Sequence, residues 1–355
     1  MATMILAAAT LCGNAAVPAP PSFKDPLDHA AEKIPTVNNR PMMAVAKAGA
    51  RLVAVGSRGV IMTSDDNGAA WSQASVPVQS DLLAVQFPTA THGWAVGHDG
   101  VILHSVDGGR TWVKQLDGRQ AGALYKDYYR NSGDAAEPAF KRALAQLELN
   151  FKAGPALPYL DVWFSDTQRG YAIGAFGMIA ATQDGGKTWE PWLHRIDNPD
   201  FLNLNAIRGI GNAIHIVGER GTVFTLDDKG ARFTQTATGY AGSFFGIAGN
   251  DDVLLAFGLR GNVYRSGDHG SNWEAVKIPA DATVMGGAAN PDRSGFVLVN
   301  SAGQLLQSDA QARQFTAVKP ERSMRYTNVA AISDLSLVLT GLAGIRVEPR
   351  PAAPH

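Results

Sequence analysis

Residues 97–112, GHDGVILHSVDGGRTW, hold both signatures that decide the fold of this chain. The first four form a tight glycine turn after an apolar run, and the last eight read S-x-D-x-G-x-x-W. Outward from this stretch the glycine turn recurs as GSRG at Gly56, GAFG at Gly174, GERG at Gly218 and GLRG at Gly258. Looser copies are NSAG at Asn300 and GLAG at Gly341. The steps between successive turns are 41, 77, 44, 40, 42 and 41 residues, so one interval carries an insertion. The second signature returns as SDDNGAAW from Ser64, TQDGGKTW from Thr182 and SGDHGSNW from Ser266. Weaker copies are LDDKGARF from Leu226 and SDAQARQF from Ser308. Two independent motifs in register at one period mark a repeat architecture.

Each unit offers four short β-prone runs, in the second LLAVQF, HGWAVG, VILHSV and TWVKQL, separated by turns rich in Gly and Asp. Four strands in about 41 residues is the size of a propeller blade. Seven turns therefore predict an all-β, seven-bladed β-propeller with four-stranded blades over residues 42–347. The S-x-D-x-G-x-x-W hairpin is an Asp box. Its Asp accepts backbone N–H bonds, its Gly supplies positive φ, and its aromatic residue packs between blades. Asp66, Asp107, Asp184, Asp228 and Asp268, with Trp71, Trp112, Trp189 and Trp273, are thus read as structural. The seventh unit ends one strand short, and a segment of residues 17–41, between Phe23 and Thr36, is expected to supply the ring-closing strand. Residues 348–355 form a short tail.

The 355 residues carry a net charge of -1 and a single Cys. Neutrality argues against a nucleic-acid binder, whose hold depends on positive excess. Residues 1–16, with the apolar run MILAAATL, read as a signal peptide, so the mature chain is expected to be exported to the periplasm. Cys12 is a poor lipid-attachment site. No stretch reads as a transmembrane segment. The histidines show no HxH or HExxH spacing, and neither a metal nor another cofactor is expected.

The insertion covers residues 118–157, between blades 2 and 3. A helix is expected through AAEPAFKRALAQLELNFKAGP, where Phe140, Leu144, Leu147 and Phe151 make one apolar stripe, with Pro138 in the first turn, Asp134 and Glu137 as a capping pattern, and Gly154-Pro155 as the stop. Ahead of it, ALYKDYYR holds Tyr125, Tyr128 and Tyr129, read as interface anchors. Because strands alternate in direction, connections after strands two and four emerge on one face of the ring. The glycine turns and the insertion therefore share a face, and the Asp boxes lie opposite. Arg58, Arg220 and Arg260, each third in its turn, with His98 and Asp99 in the second blade, make the candidate partner-binding set.

These motifs resemble the photosystem II stability/assembly factor family of Asp-box (BNR-type) propellers over residues 42–347. The resemblance implies a non-enzymatic, lumenal or periplasmic protein that helps assemble a membrane complex, with an arginine patch onto which Arg58, Arg220 and Arg260 map. The turns holding Asp99, Phe176, Ala302 and Ala343 depart from that patch. LDVWF from Leu160 and IDNP from Ile196 are similar to a bacterial branch found beyond phototrophs, which implies another envelope membrane-protein partner. The rival class is a sialidase-like glycoside hydrolase. Its chemistry requires an arginine trio and a Tyr–Glu pair; the inner strands offer Asp161, Asp166 and Arg208 instead. A third class is a small-ligand or carbohydrate-binding propeller.

Overall fold

The computed structural model describes residues 24–36 and 39–350. Seven antiparallel sheets follow one another along the chain, six of four strands and the last of three. Their innermost strands are Met42–Ala48, Leu82–Gln86, Tyr159–Phe164, Leu204–Ile210, Phe244–Gly249, Val284–Ala289 and Tyr326–Ala331. Each packs on the next, and the seventh packs on the first, so the sheets close into a seven-bladed propeller. Near the axis the inner strands converge, and small residues (Ala44, Ala84, Ala206, Gly246, Gly286) line the approach. Side chains tie neighbouring inner strands together. Gln86 Nε2 donates to Phe164 O at 3.2 Å, Asn205 Nδ2 to Phe244 O at 2.7 Å, and Thr327 Oγ1 to Met42 O at 2.6 Å.

The Asp boxes take the expected form in blades 1, 2, 3 and 5. Asp107 Oδ1 accepts from Arg110 N at 2.9 Å and Thr111 N at 3.0 Å, and its Oδ2 accepts from Thr111 Oγ1 at 2.7 Å. Asp66, Asp184 and Asp268 accept from the backbone four residues on, at 2.9 Å each. Trp71, Trp112 and Trp273 each donate Nε1 to the carbonyl of the box glycine at 3.0–3.1 Å. Trp189 is buried in the same place without such a partner. Blade 4 corrects the assignment of Asp228. There Asp227 accepts from Ala231 N at 2.7 Å. Its hairpin closes one residue earlier, leaving Asp228 on the exposed turn.

Two further expectations change. Segment 24–36 does not add a strand to blade 7, whose sheet is Tyr326–Ala331, Ser336–Gly341 and Gly344–Pro349. It runs instead along the outer rim of blades 1 and 2. Ala31 N donates to Val76 O at 3.0 Å and Gln79 N to Pro26 O at 2.7 Å. Leu27 is buried among Val76, Val78 and Val101. Pro26 and Pro35 lack the donors a ladder needs, while Leu27 and Ile34 find apolar neighbours on this rim. The ring is closed by packing: Met42, Val45 and Met62 of blade 1 meet Ile332, Val338 and Ile345 of blade 7. The leader, Cys12 and Phe23 lie outside the described residues.

The insertion holds two helices, α1 (Gly118–Asn131) and α2 (Pro138–Asn150), where one was expected. Asp117 caps α1, its Oδ1 accepting from Arg119 N and Gln120 N at 3.0 and 3.2 Å, while Gln120 Oε1 accepts from Asp117 N at 3.3 Å. This reciprocal box satisfies the first free donors of the helix. Burial pushes the Asp117 carboxyl up, but hydrogen bonds from Arg119, Lys114 and Gln120 outweigh it and hold the pKa at about 2. Pro138 does open α2. Its N-cap is Glu137, whose side chain makes no capping bond, and Asp134 contributes only its carbonyl.

Candidate docking face

Each G-x-x-G turn is built the same way in the first five blades. The third residue takes a left-handed conformation: φ is 55° at Arg58, 59° at Asp99, 52° at Phe176, 52° at Arg220 and 56° at Arg260. The neighbouring glycines are dictated by close approach. A Cβ on Gly59, where φ is +72°, would lie 2.0 Å from Val78 O, and one on Gly56 would lie 2.4 Å from Pro41 O. The chain leading to the next blade grips the turn: Asp81 Oδ1 accepts from Arg58 N at 2.7 Å, and Asn203 Oδ1 from Phe176 N at 2.6 Å. The third side chain is thereby pushed outward on a rigid support.

Arg58, Arg220, Arg260 and His98 are exposed at these turns. Asp99 is half-buried, and its Oδ2 accepts from Ser80 Oγ at 2.7 Å, so it serves the turn itself. Arg220 meets Asp200 at 2.7 Å, both side chains more than half exposed. Such a pair is weak and exchangeable. Ring order separates the set. Arg220 and Arg260 stand on adjacent blades 4 and 5, whereas Arg58 stands on blade 1, three blades away around either arc.

Two of the three tyrosines depart from the expectation. Tyr125 and Tyr129 are 0% and 1% exposed. Tyr125 Oη shares a hydrogen bond with Tyr159 Oη at 2.7 Å, and Tyr128 Oη donates to Glu190 Oε1 at 2.7 Å. Tyr129 Oη lies 3.2 Å from Pro191 O and 2.9 Å from His194 Nδ1. Arg195 Nε donates to His194 Nε2 at 3.2 Å, so the ring proton sits on Nδ1 and is given to Tyr129 Oη. Burial, with Arg195 and Arg232 nearby, holds the His194 pKa down to about 4. These aromatic residues hold the insertion on blade 3, and Tyr125 and Tyr129, fully buried, leave no surface for a partner, while Tyr128 stays half-buried at the edge. On helix α1 the tyrosines stand at i, i+3 and i+4, and so turn toward the blade.

The sequence reading missed a collar. In every blade the second residue of the innermost strand is a β-bulge, skipped between Met42 and Ala44 and at the equivalent place in the other six. A bulge re-aims its side chain, and here all seven line the central channel of about 510 Å³. Five are apolar: Met43, Leu83, Leu160, Phe245 and Met285. Pairing of strand starts with the glycine turns (Met42 with Gly56, Leu82 with Gly97) puts this collar at the mouth on the turn face. Phe245, Phe176, Leu259 and Leu342 are exposed on the same face.

Asp161 and Arg208 lie deeper in the channel. The Asp161 carboxylate accepts from Ile207 N at 2.8 Å and Val162 N at 3.0 Å and pairs with Arg208. Burial pushes its pKa up, opposed by Arg208. Fully engaged between blades 3 and 4, it acts as a staple. Asp166 binds Gln168 N, Arg169 N and the Arg169 guanidinium, which bring its pKa to about 2 against the upward push of burial. Asp161 is raised but tied to Arg208 and two backbone donors, and Asp166 is lowered, so neither is a free carboxyl like a glycosidase acid. Among the described residues no group of three or more His, Cys, Asp and Glu could hold a metal. No described helix is long and apolar enough to cross a membrane.

Among solved structures, one described as YCF48 bound to D1 peptide superimposes with a TM-score of 0.64 at 17% identity, covering 95% of this chain and 100% of that one. YCF48 from Cyanidioschyzon merolae gives 0.63 at 15%, covering 90% and 98%. These likenesses establish the propeller. In sequence, the photosystem II assembly lipoprotein Ycf48 of Synechococcus sp. (strain CC9902) is 34% identical over 243 residues, 63% of this chain and 59% of that protein. The photosystem II assembly protein Ycf48 of Synechococcus sp. (strain JA-2-3B'a(2-13)) is 30% identical over 168 residues, 44% of this chain and 49% of that one. The matched stretch thus spans about half the length of these curated relatives. The family model described as photosynthesis system II assembly factor YCF48 matches residues 63–124 and 139–334, and this chain belongs to that family.

Proposed function

We propose that the chain is a non-enzymatic assembly factor of the cell envelope that docks an exposed segment of a membrane protein on its turn face. The observation that carries this reading is the coincidence, on one face, of rigidly held exposed arginines and an apolar channel mouth. A partner segment with an apolar side chain over the collar and carboxylates beside it matches both features. Arg220 and Arg260 engage one flank and Arg58 the other, with His98 on the blade-2 side. A relative described with a bound D1 peptide supports a peptide-like partner. The reading is of binding without turnover, in the periplasm, with residues 1–16 acting as the export signal and no cofactor.

The test is co-purification from solubilised membranes with the full chain. R58E/R220E/R260E is expected to lose the partner while keeping the propeller's melting temperature, and F245E to weaken capture separately. Exposed charge contacts act mainly on association rate, so capture by the wild type should weaken with salt. Retention of the partner by both variants at wild-type level sinks the assignment.

A further inference from the structure

The gap between blades 3 and 4 holds a second cavity, of about 520 Å³, on the opposite face from the docking surface. Its floor and wall come from two inner-strand positions, Gly209 of blade 4 and Trp163 of blade 3. The inner-strand residue that is Phe87 in blade 2 and Phe164 in blade 3 is Gly209 in blade 4. Phe164 fills the gap before it, stacked 3.6 Å from Trp94. Gly209 leaves the next gap open. The residue before it on the facing strand departs as well: Trp163 stands where blades 1, 5, 6 and 7 carry Ala46, Ala248, Ala288 and Ala330. The Trp163 ring lies over the bare Gly209 backbone, where a Cβ would sit 2.2 Å from Cζ2. Tyr171 stands beside it, edge-on to the buried Trp192 at 5.2 Å between centroids. At the rim are Gln183, Asn212 and Lys229, exposed and without a hydrogen bond or ion pair among the described residues.

From this juxtaposition we propose that the blade 3–4 groove binds an oligosaccharide, with Trp163 as the platform for a pyranose ring. A pyranose has an apolar C–H face and a rim of hydroxyls. It thus matches an aromatic surface surrounded by amide, hydroxyl and ammonium groups, in a cavity within the roughly 300–1,000 Å³ of ligand sites. The walls also disfavour an extended peptide. They are sheet faces, with strands Gly170–Gly174 and Ala213–Gly218 paired on both sides, so no free edge offers a backbone ladder. Wide aromatic contact and scattered single donors suit a ligand whose hydroxyls are distributed around a ring.

The experiment titrates the full chain with chitotetraose and with maltotetraose by saturation-transfer NMR and calorimetry, with a polyproline decapeptide in parallel. At least one tetrasaccharide is expected to bind, with saturation transfer concentrated on one ring's C–H protons. W163A should weaken it about tenfold, as loss of a stacking partner does. W163A/G209F, which gives this gap the Phe of its neighbour, should abolish binding. Because Trp163 is half-exposed, W163A alone keeps its fold and decides the matter should the double variant not fold. Binding of neither sugar, equal affinity in W163A, or binding of the decapeptide in place of sugars overturns the proposal. R58E/R220E/R260E should leave sugar binding unchanged, which separates this site from the docking face.

Discussion

The gap between blades 2 and 3 and the gap between blades 3 and 4 are built from the same repeat and end in opposite states. In the first, Phe164 stacks on Trp94, Trp94 stacks on His104 with centroids 4.4 Å apart, and Trp94 Nε1 donates to Gln115 Oε1 at 3.1 Å. The Asp box of blade 3 closes this gap, Gln115 Nε2 donating to Gly185 O at 2.7 Å. In the second, Gly209 replaces the phenylalanine, and the box that would close the gap is the altered one of blade 4. A Cβ on its Gly230 would meet nothing within 4 Å. A propeller can thus keep its backbone plan while one seam becomes core and the next a cavity. Gly209 in place of Phe164 and a hairpin that closes one residue early separate the outcomes.

Breaking the filled gap should have the largest effect. F164A removes a fully buried ring and leaves a cavity, for an expected loss of about 3–5 kcal/mol by urea denaturation. An unchanged midpoint would show that the stack is not what holds blades 2 and 3 together. Acid should strain the same gap. Burial, with His92 nearby, holds the His104 pKa down to about 4. The unfolded chain binds that proton from about pH 6.5 downward. The contribution is therefore full above pH 6.5 and is lost as the pH falls toward 4. The wild-type melting temperature should fall across that window, and the slope should be shallower in H104F.

The boxes should rank with their gaps. D184A removes the acceptor for Thr188 N and for Thr188 Oγ1, bonded at 2.9 and 2.6 Å. The expected loss is about 1–3 kcal/mol. D227A, with its single backbone bond at 2.7 Å beside the open gap, should lose less than half as much. Equal losses would mean that the box stabilises its own hairpin and not the gap. Smallest of all, W163A should change stability by under about 1 kcal/mol, because its ring faces a cavity. A loss like that of F164A would show the second gap to be packed core.

Blade number, glycine turns and four Asp boxes were legible because each is written within a few consecutive residues. The exposed arginines at the third turn position were legible for the same reason. What escaped reading depends on partners far along the chain. Phe164 and Trp94 lie in different blades, and nothing local tells which phenylalanine finds a partner and which glycine leaves a void. The bulges that aim Met43, Leu83 and Phe245 into the channel break the strand alternation by one residue, which only pairing reveals. Helix α1 did carry a local sign, Asp117 with Gln120 ahead of Ala121 and Tyr125. The two glycines at 118 and 122 masked it, and close approach is their reason: a Cβ on Gly118 would lie 2.1 Å from Pro155 O.

The closing seam has a mechanical consequence. At six seams the covalent chain itself crosses from blade to blade. Between blades 7 and 1 it does not, and the described residues bridge it with side-chain packing and a few bonds such as Lys47 Nζ to Ile332 O at 2.9 Å. The last strand is pinned the other way, Arg350 Nη1 reaching Asp292 Oδ1 of blade 6 at 3.1 Å. The ring is in this sense a split washer, with its cut between the last blade and the first. A force that draws blades 1 and 7 apart loads that cut, where apolar surfaces slide past one another before any strand is peeled from its sheet. A cross-link bridging blades 1 and 7 would turn the washer into a solid hoop.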